Sequence, residues 1–223
     1  MEIKVVKKVL DVNDTLAMRN REIFKAAGVF VLNVMSAPGS GKTTLLEKTL
    51  VRIMPQLKCA VIVGDICTTN DADRLARSGA PVLQINTDQF GGECHLSAKV
   101  IGEAAGKFDL KNLDLLIVEN VGNLVCPAEF DIGEDARVVV LSVTEGEDKP
   151  VKYPLMFRQC DAALLNKTDL LPHLDYNKDT AVAYIHQVHP NMPVFEVAAT
   201  TEAGFGPWIN WLTGKVKEKN NTI

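Results

Sequence analysis

Lys42 stands between the glycines Gly39 and Gly41 and the hydroxyls of Thr43 and Thr44, in the run Ser36-Ala37-Pro38-Gly39-Ser40-Gly41-Lys42-Thr43-Thr44. An apolar run leads into this segment and a helical pattern leaves it, which is the strand, glycine-rich turn and helix of a P-loop. Gly39 and Gly41 have no β-carbon to hold the backbone around Ser40 away from phosphate oxygens, and the helix N-terminus adds partial positive charge. Lys42 is placed to reach β- and γ-phosphates, and Thr43 to offer its hydroxyl to Mg²⁺. The general pattern opens with glycine, where this chain has Ser36. Two acids close later apolar runs, Asp65 after Val61-Ile62-Val63-Gly64 and Glu119 after Leu115-Leu116-Ile117-Val118. At the carboxyl ends of strands they are candidates to hold Mg²⁺ or its water shell. Gly122 leaves room for a backbone N–H to sense a γ-phosphate. Asp71 and Asp73 read as caps of the next helix, Asp71 with the further option of orienting a water.

After Ala162-Ala163-Leu164-Leu165 comes Asn166-Lys167-Thr168-Asp169, which resembles the base-specificity motif of GTPases. A carboxylate at Asp169 accepts from both N1–H and the N2 amine of guanine, whereas adenine would set a lone pair against it. Asn166 is expected to reach the other edge of the base or to tie its loop to the P-loop, and the Lys167 stem to lie along the ring. Val197-Ala198-Ala199-Thr200 resembles a final, permissive guanine-contacting loop. A further group of ligands is softer: Cys94 and His95 are adjacent, and Cys126 stands before Pro127. Thiolates with an imidazole suit Zn²⁺ or Ni²⁺. One chain then supplies three strong ligands, so water or a second protomer must complete a tetrahedral site, and an open or shared site suits transfer. Cys126 follows Glu119 in the segment that a γ-phosphate would pull, so nucleotide state is expected to move one metal ligand.

These residues need a frame that brings strand ends together. Val29 to Met35, Cys59 to Val63, Val82 to Ile85, Leu113 to Val118, Val138 to Val143, Ala162 to Leu165 and Val194 to Val197 are apolar runs of strand length. Between them, Thr43 to Ile53, Ala72 to Arg77, Leu96 to Ala105, Thr180 to Val188 and Phe205 to Val216 suit helices. Asn13 can cap a first helix with Leu16, Ile23, Phe24 and Ala27 on its apolar face and Gly28 at its end. Near-continuous Val/Ile/Leu strands alternating with helices predict a three-layer α/β/α domain around a mostly parallel sheet. The 223 residues read as a single P-loop domain, with 1–28 a helical extension packed on it. Twenty-eight acidic and 24 basic residues give a net charge of -4 with no Lys/Arg block, which argues against nucleic acid as a partner. No apolar stretch approaches the roughly 18 residues of a membrane span. The N-terminus lacks an apolar signal core, so a cytoplasmic location is expected. Five cysteines with no Cys-x-x-Cys pair read as free thiols or ligands rather than a disulfide frame. Of these, Cys59 and Cys160 border apolar strands and read as core thiols, and Cys67 is undecided. His173, His186 and His189 read as surface residues.

Together the runs Ser36 to Leu46, Gly64-Asp65 with Asn70-Asp71-Ala72, Asn86-Thr87 before Cys94-His95-Leu96, Glu119 to Pro127, and Asn166-Lys167-Thr168-Asp169 resemble the HypB family of hydrogenase nickel-incorporation GTPases, over nearly the whole chain. The resemblance implies a SIMIBI-type GTPase fold, GTP and GDP binding with Mg²⁺, and GTP-favoured homodimerisation. It also implies assistance of nickel insertion into [NiFe] hydrogenase, with the accessory protein HypA and the hydrogenase large subunit as partners. The family's metal ligands fall on Cys94, His95 and Cys126. An N-terminal Cys-x-x-Cys-Gly-Cys or His-rich nickel store, present in some members, is not found in this sequence, and Ser97 stands where the family usually has an acid. The motifs present no Gln or Arg finger, so unassisted hydrolysis is expected to be slow. Three other readings share the P-loop. One is a urease or cobalamin-enzyme accessory GTPase, another an ATP-dependent small-molecule kinase, and the last a non-catalytic zinc-binding module. Ala128, where the urease proteins carry histidine after Cys-Pro, favours the hydrogenase reading over the first.

Overall fold

A computed structural model describes residues 4–65, 70–87 and 94–221, with the side chains of residues 4–9 left aside. Cys67 lies outside the described residues. Seven strands, β1 (Phe30–Ser36), β2 (Cys59–Asp65), β3 (Val82–Asn86), β4 (Leu115–Glu119), β5 (Ala136–Ser142), β6 (Ala162–Asn166) and β7 (Val194–Glu196), form one sheet in the order β3-β2-β4-β1-β5-β6-β7. All neighbours are parallel. The order reverses at β1, whose neighbours β4 and β5 lie on opposite sides, and such a switch point opens a crevice at the carboxyl ends of the strands. Register fixes what lines it: Val34 of β1 and Val63 of β2 both align with Glu119, and Ser142 aligns with Asn166.

Alternate residues of each strand point to opposite faces, and both faces are buried. One face, with Leu32, Val61, Ile117, Val138 and Leu164, is covered by α2 (Lys42–Ile53), α3 (Asn70–Ala76) and α9 (Phe205–Asn220). There the Trp208 indole N–H donates to Thr49 Oγ1 at 3.0 Å, which lets a polar atom be buried in the apolar layer. The opposite face is covered by α1 (Lys4–Ala27) and α4 (Ala98–Ala105) at one end. At the other end lie α5 (Cys126–Glu129), α7 (Pro154–Arg158) and α8 (Lys178–Val188). The short helices α5, α6 (Lys149–Lys152) and α7 carry no readable helical period, because one turn is too little sequence to show one.

The first helix departs from expectation. It begins at least nine residues before Asn13, which lies inside it rather than at its cap. Asn13 is buried, donating to the Asp131 carbonyl at 2.8 Å and accepting from the Ala98 N–H at 2.9 Å. Asparagine is a poor helix-interior residue because its amide competes with the backbone. Here that amide is used to fasten α1 to two other segments, which no local pattern can reveal. Ile23, expected on the apolar face, is exposed, while Phe24 fills the core. Gly28 ends the helix at φ 77° as expected.

Candidate functional site

The P-loop occupies the crevice. Its backbone turns through Gly39 and Gly41 at φ 77° and 88°, a region where a β-carbon is strained. At Gly41 a β-carbon would also lie 2.7 Å from Asn166 Nδ2. The loop, Asp65, Asp71, Arg74, Gly122 and Lys167 line a cavity of about 520 Å³. Gly122 is packed so tightly on the P-loop that a β-carbon there would sit 3.2 Å from Pro38. The Ser40 hydroxyl is buried and has no hydrogen-bond partner among the described residues, as suits a loop built around an anion. Ser36, in place of the usual glycine, is buried and turns its hydroxyl to the Ala37 carbonyl at 2.9 Å.

Glu119 is 1% exposed. Its Oε1 accepts from Thr43 Oγ1 at 2.7 Å and lies 3.3 Å from Lys42 Nζ. Its Oε2 is buried without a partner among the described residues. Burial pushes this carboxyl above the ordinary range, opposed by Lys42 and Thr43. A carboxylate oxygen left over beside a threonine hydroxyl offers a hard cation two of the oxygen donors it takes, with water and phosphate free to supply the rest, so Thr43 and Glu119 fit Mg²⁺. Asp65, at the end of β2, lines the same cavity. Asp71 and Asp73 lie in the first turn of α3 rather than serving as caps, and Asp71 reaches the cavity wall. Arg74, which carries no motif, also lines the cavity and donates to Thr44 Oγ1 at 2.8 Å. Only the placement of α3 against α2 brings it there.

A smaller cavity of about 140 Å³ adjoins the first and is lined by Gly41, Thr44, Asn166, Lys167, Asp169, Leu170, Ala199 and Thr200. Asn166 takes the second of its two expected roles. Its amide donates to the Ser40 carbonyl at 3.0 Å and accepts from the Ala199 N–H at 3.1 Å, tying three loops together. Lys167, left-handed at φ 61°, donates to the Gly39 carbonyl at 2.7 Å. Asp169 is exposed, with Thr200 Oγ1 donating to it at 3.0 Å, and offers a carboxylate to whatever enters.

Cys94, on a loop, and Cys126, the first residue of α5, meet with Sγ 2.7 Å from Sγ, and both are half-buried free thiols. His95 Nδ1 is 4.0 Å from Cys94 Sγ, and its ring stacks on Phe130 with centroids 3.7 Å apart. Among the described residues no three His, Cys, Asp or Glu side chains are gathered closely enough to enclose a metal ion. The Cys126 thiol beside it, and then burial, push the Cys94 thiol up. A divalent cation would displace those protons. Cys59 and Cys160 are core thiols as expected, Cys59 pushed up to about 12 by burial and Cys160 raised further. His173 and His186 are exposed, while His189 is half-buried with its ring Nδ1 3.2 Å from the Phe157 carbonyl.

Residues 30–196 match a family model described as CobW/HypB/UreG, nucleotide-binding domain. Over 210 residues the chain is 50% identical to the hydrogenase maturation factor HypB of Escherichia coli K12, which covers 94% of this chain and 71% of that protein. The crystal structure of the hydrogenase maturation factor HypB from Archaeoglobus fulgidus superposes with a TM-score of 0.85 at 39% identity, over 92% of this chain and 99% of that one. The crystal structure of HypB from Helicobacter pylori in complex with nickel gives 0.85 at 37% identity, over 93% and 96%. The architecture is the SIMIBI-type three-layer P-loop fold expected from the sequence, its sheet wholly parallel.

Proposed function

From the premise that this chain belongs to the CobW/HypB/UreG family and, within it, to the HypB hydrogenase maturation factors, we propose that it is a GTP-hydrolysing switch that handles nickel for [NiFe] hydrogenase. One observation carries the coupling. The segment from Glu119 to Cys126 has a carboxylate against Lys42 and Thr43 at its start and a thiol against Cys94 at its end. A change of phosphate state at one end therefore acts on the sulfur pair at the other.

Lys42, Ser40 and the N–H groups of the P-loop hold the phosphates, Asp169 reads the guanine edge, and Asn166 and Lys167 brace the loops between them. Mg²⁺, when bound at Thr43, Glu119 and Asp65, neutralises charge on the β- and γ-phosphates. Gly122, close on the P-loop, lets the Glu119 segment approach a γ-phosphate. Nickel, or zinc in its place, is taken as cargo by the Cys94 and Cys126 thiols already side by side, with His95 joining them by leaving its stack on Phe130, three ligands that leave a position for water, a second protomer or the receiving protein. GTP favours a homodimer, and hydrolysis relaxes the site toward release. The setting is cytoplasmic, with HypA and the hydrogenase large subunit as partners, and residues 1–223 act as a single domain with 1–28 as its helical extension. No helix among the described residues is long and apolar enough to cross a membrane.

The test is nickel affinity and oligomer mass of the purified protein with GDP and with a non-hydrolysable GTP analogue, repeated with Cys94→Ala and Cys126→Ala. The expected result is a nucleotide-dependent affinity that both substitutions abolish. Equal affinity and mass in the two nucleotide states would refute the switch.

A further inference from the structure

Between the phosphate cavity and the thiol pair lies a buried amide to which no function is yet attached. Asn120 follows Glu119 directly and is 1% exposed. Its backbone N–H continues the sheet by donating to the Val34 carbonyl at 3.0 Å. Its side-chain oxygen accepts from two N–H groups, its neighbour Val121 at 2.9 Å and Leu96 at 3.2 Å. Its Nδ2 donates to Asn33 Oδ1 at 3.2 Å, and Asn33 in turn donates to Glu134 Oε1 at 3.1 Å. The amide is therefore held on the β1 side and uses its oxygen to grip the residue that follows Cys94-His95.

Leu96 is gripped from the other side as well. Its side chain lies so close over β2 that a β-carbon on Gly64 would be 2.8 Å from Leu96 Cδ1. Further along the Glu119 segment, Asn123 Nδ2 lies 3.4 Å from the Cys94 carbonyl, a longer second tie. The turn bearing Cys94 thus has no covalent link to the segment bearing Cys126, but is fastened to it through Asn120. A buried hydrogen bond with both partners satisfied holds one geometry, because breaking it strands a donor and an acceptor in the interior.

We propose that Asn120 is a positioning residue for the metal-binding pair: its amide oxygen, by holding the Leu96 N–H, sets the approach of Cys94 to Cys126 and makes the two loops move as one when Glu119 moves. This rests on the reading of the thiol pair as the nickel site, and the experiment separates the two ideas. In the full-length, metal-free protein, the rate at which dibromobimane bridges Cys94 and Cys126 measures their juxtaposition without any metal. Cobalt(II) titration, read by the thiolate-to-metal charge-transfer band, measures binding.

Asn120→Ser keeps a local bond to the Val121 N–H but is too short to reach Leu96 or Asn33. It is expected to slow bridging and weaken cobalt binding by about tenfold, the equivalent of the one lost hydrogen bond that joins the two segments. Asn20→Ala removes a buried amide of the α1 attachment, which bonds the Ala98 and Ile132 carbonyls, and is expected to leave bridging unchanged. The proposal is overturned if Asn120→Ser bridges at the parent rate, or if Asn20→Ala slows bridging as much. Cobalt binding that survives Cys94→Ala would instead refute the nickel-site reading, while the bridging rates would still decide the role of Asn120.

Discussion

Asp169→Asn exchanges one carboxylate oxygen for an amide nitrogen at the mouth of the smaller cavity, with almost no change of volume. The carboxylate is exposed and is steadied by Thr200 Oγ1 at 3.0 Å. Thr200 does not bias the outcome, since a hydroxyl can donate to or accept from the new amide. Guanine presents N1–H and N2–H donors, both matched by a carboxylate. The amide keeps one acceptor and turns an N–H₂ toward the N2 amine. Hydrogen bonds to a charged group contribute about 1.5–3 kcal/mol, and exposure places these at the low end. One such bond is lost and the other becomes neutral, so GDP should lose about 2–3 kcal/mol, or roughly 30- to 150-fold in affinity. Xanthine carries a carbonyl in place of the N2 amine and gains from the same change. The GDP/XDP preference should therefore shift by about a thousandfold. Competition of GDP, XDP and ADP against a fluorescent GDP analogue in Mg²⁺ buffer measures this, with ADP weak against both proteins. If Asp169→Asn binds GDP within a factor of about three of the parent, well inside one hydrogen bond's worth, Asp169 does not read the base.

Thiol labelling of the native protein at pH 8 should modify Cys94 and Cys126 well before Cys59 and Cys160, because burial raises the latter two and blocks access. Peptide mapping of the modified protein checks the order. Gly204→Ala forces φ 75° on an alanine and puts its β-carbon 2.0 Å from the Glu196 carbonyl oxygen. It should cost about 2–4 kcal/mol in denaturant unfolding, whereas Gly206→Ala meets nothing within 4 Å and should be neutral or stabilising. Burial raises the Glu145 carboxyl, whose two oxygens have no hydrogen-bond partner among the described residues. A carboxyl raised on folding contributes stability below its unfolded value of 4.5 that is lost as pH rises through its folded value. Glu145→Gln should therefore raise the unfolding midpoint at pH 7 to 8, with the gain shrinking as pH falls toward 4.5.

The strands were legible because a fully buried parallel sheet needs unbroken apolar runs, and Cys59–Asp65, Leu115–Glu119 and Ala136–Ser142 are such runs. Their ends in the structure lie within about two residues of those expected, the usual precision of such boundaries. The P-loop and Asn166-Lys167-Thr168-Asp169 were legible for a related reason. Their chemistry is carried by residues adjacent in the chain, so spacing records it directly. Asn13 misled for the opposite reason: a polar residue before an apolar pattern looks like a cap, and its true partners are the Asp131 carbonyl and the Ala98 N–H.

What the sequence determined by itself was therefore the local pattern: a glycine-rich turn at Gly39 to Thr44, a carboxylate at Asp169, two thiols at Cys94 and Cys126, and an alternating frame to carry them. Tertiary structure alone decided which of these meet. Parallel pairing of β1 with β4 sets Glu119 against Thr43, α3 brings Arg74 to the cavity wall, and Asn120 draws the Leu96 turn onto the segment that ends at Cys126. The physical reason is that hydrogen bonds and packing between distant segments depend on sheet order and register. Neither leaves a periodicity in the chain, and a residue such as Asn120 acquires its role only from the N–H group that folding places opposite it.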